Sequence, residues 1–235
     1  MIAATGWVVA IAAAIWVLRL RMAFASRMEL VARACHELRG PITVARLGVD
    51  LLARGGDSRP DALSAIDLEL ASAGLALDDL AAAPAGLRGP WRLDVVDVPA
   101  LLAASIEAFR PLALARGVEL GTRWNGEPGV VHADRVRLAQ ATGNLIANAI
   151  EHGEGEVEVG GRTDSGSLEI SVADAGRGLR APLADVVRRA RRGRGHRGRG
   201  LAIAAEVAHR HGGRLIAATD DRGSRTTLEL PLEQG

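Results

Sequence analysis

Lysine is absent from this 235-residue chain, so all 29 of its basic side chains are arginine. This reads as the signature of a GC-rich genome rather than of a function. Against 28 carboxylates the formal net charge is only +1, and no global field favours a nucleic acid partner. Cysteine occurs once, at Cys35, which excludes an internal disulfide framework. A lone cysteine of this kind reads as a small packed residue rather than a redox sensor. Aromatic residues make up only 3% of the chain, and the arginine-rich stretch from Pro182 to Gly200 contains none. A basic run without interleaved aromatics again argues against nucleic acid. What the chain has in quantity is apolar surface, 48% of its residues. Its length suits one or two domains with a sizeable core, plus a leader. No internal repeat is present.

The longest uncharged run covers residues 2–18 and is followed at once by Arg19, Arg21 and Arg27. About 17 residues is the short end of what crosses a bilayer. The arginines place the C-terminal side in the cytoplasm, and Trp7 and Trp16 suit the two interfaces. A cleaved signal peptide would carry its positive charge before the apolar run, not after it. We therefore expect a transmembrane anchor over residues 1–22, with its N-terminus outside. Only about five residues would protrude, so no external sensor domain is expected, and a signal would arise in the bilayer or from a membrane partner.

From Ala23 onward the pattern is amphipathic. Met28, Val31, Cys35, Leu38, Ile42, Ala45 and Val49 recur at helical spacing. Gly40-Pro41 should bend this helix, because proline removes a backbone donor and clashes one turn back. The turn formers between Arg54 and Pro60 end it. A second helix, from about Asp61 to Ala82, carries the stripe Leu63, Ile66, Leu70, Ala73, Leu77 and Leu80. Two such helices, spanning residues 23–83, cannot bury both apolar faces alone. A dimeric four-helix bundle solves this, and a monomeric hairpin packed on the following domain is the alternative.

Residues 84–90 form a linker rich in proline and glycine. Beyond it, over 91–235, strands and helices alternate. The expected strands are Trp91–Val98, Val118–Trp124, Val130–His132, Glu156–Arg162, Leu168–Asp174, Arg214–Thr219 and Arg225–Leu230. The expected helices are Pro99–Gly117, Arg135–Glu151 and Leu201–His211. This order suggests an α/β two-layer sandwich.

Three short stretches carry chemistry. His36-Glu37-Leu38-Arg39-Gly40-Pro41 sets a histidine beside a carboxylate, and an imidazole with a pKa near 6.5 can accept a group at cellular pH. Asn144 and Asn148 in NLIANA lie four residues apart, so both amides project from one helix face. Asp174-Ala175-Gly176-Arg177-Gly178-Leu179 follows an apolar strand, with glycines that permit close approach of backbone.

In this order the three stretches resemble the H, N and G boxes of bacterial sensor histidine kinases. The last two resemble the Bergerat ATP fold shared with gyrase and mismatch-repair ATPases. The resemblance covers nearly all of the chain after residue 20. It implies that His36 takes the γ-phosphoryl group of ATP and that Glu37 acts as general base. It implies Asn148 as the Mg²⁺ ligand, Asn144 as a phosphate or water contact, His152 near the nucleotide, and Asp174 as acceptor for the adenine amine. Gly176 and Gly178 would approach the base. Gly198, Gly200 and Leu201 would form a second glycine box that opens a helix towards the triphosphate. The implied partners are a second copy of the chain, a membrane and a response regulator whose aspartate receives the phosphoryl group. Departures are also visible: Glu151 stands where the family carries a basic residue, His196 where it carries glycine, and the lid lacks its phenylalanine. Gly40 offers no hydroxyl or amide to orient water, which implies weak phosphatase activity. Two other readings stay open, a Bergerat-fold protein-serine kinase acting on a sigma-factor regulator, and an ATP-binding interaction module without kinase activity.

Overall fold

The computed structural model describes residues 15–22, 38, 41–46, 48–49, 63, 66–67, 69–70, 73–74, 77, 91–127, 129–164, 166–191, 198–221 and 223–232. The expectations for His36, Glu37, Arg39, Gly40 and the 84–90 linker lie outside these residues.

Among the described residues from 91 onward there are seven strands and four helices. In chain order they are β1 (Asp94–Asp97), α1 (Val98–Arg116), β2 (Glu119–Asn125), β3 (Val130–Ala133), α2 (Arg135–His152), β4 (Glu156–Asp164), β5 (Ser167–Asp174), α3 (Leu183–Arg191), α4 (Arg199–Arg210), β6 (Arg214–Asp220) and β7 (Gly223–Pro231). Five strands make one mixed sheet in the order β2-β4-β5-β7-β6. The β2–β4 pair is parallel and its other pairs are antiparallel. β1 and β3 form a separate antiparallel ribbon.

Local chemistry explains the helix limits. Asp97 caps α1 by accepting the Ala100 N–H at 3.0 Å, Pro99 sits in the first turn, and Gly117 ends the helix in the left-handed region at φ 66°. Asp134 caps α2 in the same way, accepting the Arg137 N–H at 3.1 Å.

Alternation along the strands makes the sheet one-sided. Val157 and Val159 of β4, Leu168, Ile170 and Val172 of β5, and Leu228 and Leu230 of β7 are buried. Against them pack α1, α2 and α4, contributing Leu101, Phe109, Leu138, Ile146 and Ala204 to one continuous core. Each such leucine, isoleucine or phenylalanine contributes about 1.5–3 kcal/mol by its burial. On the open face, cross-strand pairs replace apolar contacts. Arg162 and Glu169 face each other with a 2.8 Å pair, as do Arg214 and Glu229 at 2.9 Å. Glu158 takes Arg123 at 3.1 Å. Exposed pairs of this kind contribute roughly 0–1 kcal/mol each.

Two expectations change. Trp91–Val98 does not form one strand, since only Asp94–Asp97 pairs. The indole of Trp91 lies between the guanidinium groups of Arg137, at 4.8 Å, and Arg210, at 5.2 Å. The next backbone N–H, of Arg92, donates to Asp134 at 3.0 Å, so this stretch serves a helix cap rather than a ladder. The segment from Pro182 to Gly200 contains the helix α3, which packs on α4; its apolar stripe, Leu183, Val186, Val187 and Ala190, has helical spacing between the arginines.

Before residue 91, residues 15–22 are helical with Ile15, Trp16, Val17, Leu18, Leu20 and Met22 all exposed. Among the described residues, the one helix long and apolar enough to cross a membrane is α1. It is the core helix of the α/β layer, with Leu101, Leu102, Ile106 and Phe109 buried. Residues 41–46 are helical, and Val44 joins the core of the α/β layer. A Cβ on Gly48 would lie 3.0 Å from Ile66 Cγ1, so the two hairpin segments touch there. The expected second stripe divides: Ala73 is buried, whereas Leu63, Leu70 and Leu77 are exposed by 50–58%.

Glu69 is buried in that contact, 6% exposed. Its Oε1 is 3.9 Å from where a Cβ on Gly143 would sit, beside Phe109. Burial pushes its carboxyl from an ordinary 4.5 up to about 7. The packed form therefore holds the proton more tightly than a form in which the helix has come away. The stabilisation is fully present below pH about 4.5 and is lost as pH rises to about 7, by up to about 3 kcal/mol. Urea denaturation of the chain in lipid nanodiscs across this range should show wild type losing stability relative to Glu69→Gln. Parallel curves would contradict the assignment.

Candidate nucleotide site

The helix α2 carries Asn144 and Asn148, both half-buried, on a face otherwise distinct from buried Leu138, Leu145 and Ile146. The spacing of four places one above the other. Gly200, near the start of α4, rests against the first: a Cβ there would lie 3.2 Å from both Cβ and Oδ1 of Asn144. The missing side chain allows the two helices to meet at this point. Gly198 precedes α4 at φ 88° with no side-chain cap hydrogen bond; the N–H groups of a first helical turn suit an anionic ligand. A Cβ on Gly198 would lie 2.5 Å from Val186 Cγ1, which ties α3 to the same corner. Leu201 is buried in the core at 3% exposure, so only its backbone can face a ligand.

At its other end α2 stops at His152, which is exposed, as is Glu151. The following Gly153 N–H donates to Ala149 O at 2.8 Å. The turn after β5 meets this end. Asp174 Oδ1 accepts the Gly176 N–H at 2.8 Å. Burial raises the Asp174 carboxyl above the ordinary range, opposed by that hydrogen bond and by His152. A half-buried carboxylate with one oxygen committed to its own turn retains the other as an acceptor. Gly178, at φ 69°, packs so closely on Thr219 that any side chain there would collide with the threonine hydroxyl; Thr219 of β6 therefore borders the site and was not apparent from the sequence.

The fold thus joins Asn144 with Gly200, and His152 with Asp174 and Gly176. Among the described residues, no group of three His, Cys, Asp or Glu could hold a metal ion. A cation that takes most of its ligands from phosphates and water, with one amide oxygen from the protein, fits this donor set; Asn144 and Asn148 are both half-buried amides on α2.

His211 lies at the end of α4 and reaches the start of α2. Its Nε2 accepts the Asp134 N–H at 3.0 Å and its Nδ1 donates to Val207 O at 2.8 Å. A backbone N–H can only donate, so the ring is neutral with its proton on Nδ1. It joins the end of α4 to the start of α2, with Trp91 edge-on at 5.1 Å.

Residues 133–234 match the family model of histidine kinase-, DNA gyrase B- and HSP90-like ATPases. The chain is 28% identical over 224 residues to the alginate biosynthesis sensor protein KinB of Pseudomonas aeruginosa, a match covering 88% of this chain and 37% of KinB. It is 33% identical over 217 residues to the sensor histidine kinase MtrB of Mycolicibacterium paratuberculosis, over 85% of this chain and 38% of MtrB. The chain therefore spans well under half the length of these curated relatives. Among solved structures, full-length ShkA in complex with AMPPNP is similar with a TM-score of 0.57 at 25% identity, over 88% of this chain and 46% of that one.

The contact of Gly200 with Asn144 yields a direct test. Gly200→Val should displace the amide and weaken binding of a fluorescent ATP analogue about ten-fold or more, the worth of one or two lost hydrogen bonds. Far-UV circular dichroism should be unchanged. Undiminished binding would mean that this corner does not meet the nucleotide.

Proposed function

We propose that this chain, which resembles bacterial two-component sensor histidine kinases and carries an ATPase domain of the histidine kinase, gyrase and HSP90 type, is a membrane-anchored protein-histidine kinase. The observation that carries this reading is the junction at α2. One helix carries two amides, sets the first, Asn144, against the glycine-led start of α4, and ends against the carboxylate of Asp174. ATP would lie along this helix. Its adenine amine would donate to Asp174, its triphosphate would meet Asn144, Gly198 and Gly200, and Mg²⁺ would be held by Asn148. When bound, Mg²⁺ neutralises phosphate charge.

His36 would be the acceptor. A neutral ring nitrogen attacks the γ-phosphorus, a nitrogen–phosphorus bond forms, the bond to the β,γ-bridging oxygen breaks, and ADP leaves. Glu37 takes the proton from the other ring nitrogen and steadies the imidazolium that develops. The phosphoryl group then passes to an aspartate of a response regulator. The catalytic contribution is mainly positioning and charge neutralisation.

Homodimerisation is supported by the hairpin. Leu63, Leu70 and Leu77 recur every seven residues and are exposed, as are Ile42 and Val49. A seven-residue repeat of exposed apolar side chains fits a helix of a second copy. The exposed helix at residues 15–22, apolar up to Leu18 and carrying Arg19 and Arg21 after it, supports a membrane anchor. The domains would be 1–22 as anchor, 23–83 as dimerisation and phosphotransfer helices, 84–90 as linker and 91–235 as the ATP-binding domain.

Incubation of the reconstituted chain with γ-labelled ATP should give an acid-labile, alkali-stable label on the chain itself, abolished in His36→Gln. Acid-stable label on a partner would instead favour the serine kinase, and nucleotide binding without any label the interaction module. For the dimer, Leu70→Glu should convert it to monomer in sedimentation of detergent-solubilised protein. A wild-type chain that sediments as a monomer at all concentrations would remove the dimer from this scheme.

A further inference from the structure

Gly153 follows α2 with φ −77° and ψ 173°, a conformation open to any residue. Its backbone does not require glycine; its surroundings do. A Cβ at this position would lie 2.7 Å from Cβ and 2.9 Å from Cγ of Asp174, and would collide with Ala149 O. The opposing Gly176 is constrained in the same way, with a Cβ there 2.7 Å from Asp174 Oδ1 and 3.0 Å from Gly153 Cα. The Ala175 N–H donates to Glu154 O at 3.1 Å and completes the seam. The end of α2 and the turn after β5 are thus in backbone-to-backbone contact, with the Asp174 side chain wedged between them. Oδ1 is held by the Gly176 N–H. The orientation of the other oxygen is fixed by how closely Gly153 approaches.

We propose that Gly153 is a specificity-determining positioning residue. By admitting the end of α2 against Asp174, it sets the carboxylate to accept from a purine 6-amino group, and it fixes the distance between that acceptor and the amides of Asn144 and Asn148 on the same helix. This rests on the reading of Asp174 as the adenine acceptor. A side chain at 153 meets the Asp174 side chain and the last-turn carbonyl of Ala149, whereas Asn144 lies more than two turns back along α2. The loss therefore falls on recognition of the base rather than of the triphosphate.

The test compares the affinity of the whole chain for ATP and for purine riboside triphosphate, which lacks only the 6-amino group, by calorimetry. Wild type should prefer ATP, and Asp174→Asn should abolish the preference. In Gly153→Ala, ATP affinity should fall about ten-fold or more, the worth of a hydrogen bond to a charged acceptor. Affinity for the purine analogue should stay within about three-fold, a change under 1 kcal/mol. Gly155→Asn, which alters the same loop at a left-handed glycine (φ 71°) where a Cβ would meet Ala175 Cβ at an ordinary 3.8 Å and not Asp174, should keep the wild-type ratio. Equal loss of both ligands in Gly153→Ala, or an unchanged ratio, overturns the role of Gly153 while leaving Asp174 as the acceptor. Absence of any preference in wild type overturns the reading of Asp174 as well. If Gly153→Ala is too unstable to bind either ligand, thermal denaturation in an Asp174→Gly background decides. Removing the colliding side chain must reduce the destabilisation, and full additivity contradicts the proposal.

Discussion

Close approach of two pieces of backbone governs this molecule: the end of α2 against the turn that leaves β5. Peptide groups come this near only where side chains are missing on both sides, and here Gly153 and Gly176 supply the gaps. The contact holds the Asp174 carboxylate between helix and sheet and makes α2 the axis of the site. A second gap, Gly200 against Asn144, repeats the device one helix over. The site is therefore built from absences of side chain, into which polar groups are fitted.

The sheet makes this arrangement stable. Its buried face of valine, leucine and isoleucine supports α1, α2 and α4, while its other face is closed by arginine–carboxylate pairs across neighbouring strands. The two faces do different jobs. Burial supplies the free energy, and the charge pairs add little but keep the open face soluble. Around the start of α2, Trp91, Arg137, Asp134 and His211 join the entry of the domain to the ends of two helices. A neutral histidine ring bridging two helix ends constrains α2 at the end remote from Asp174. The Glu69 contact on the flank of α2, beside Gly143, adds a proton-sensitive link to the hairpin.

Much of this was legible. The alternation of Leu168, Ile170 and Val172 and of Leu228 and Leu230 reads as half-buried strand, and the strand limits fall within a few residues of those expected. The helix α2 reads from its periodicity, and Asn144 and Asn148 share a face because helical spacing dictates it. What was not legible has identifiable causes. Trp91 looks like a strand former, yet cation–π contacts with residues distant in sequence direct it elsewhere. The helix α3 does carry a helical stripe, Leu183, Val186, Val187 and Ala190, but it is only nine residues long and lies within an arginine-rich stretch. Nothing local to Glu69 marks it as buried; its place beside Gly143 shows only in the folded chain.

The sequence by itself determined the order of the strands and of α1, α2 and α4, the one-sided sheet and the helix that carries the paired amides, because each follows from local periodicity and local capping. Tertiary structure alone decided which ends meet: Gly153 with Asp174, Gly200 with Asn144, His211 with Asp134, Glu69 with Gly143. These pairs join segments that no local rule relates. Whether a glycine there is a turn residue or a space for a neighbouring backbone depends on what the rest of the chain brings against it.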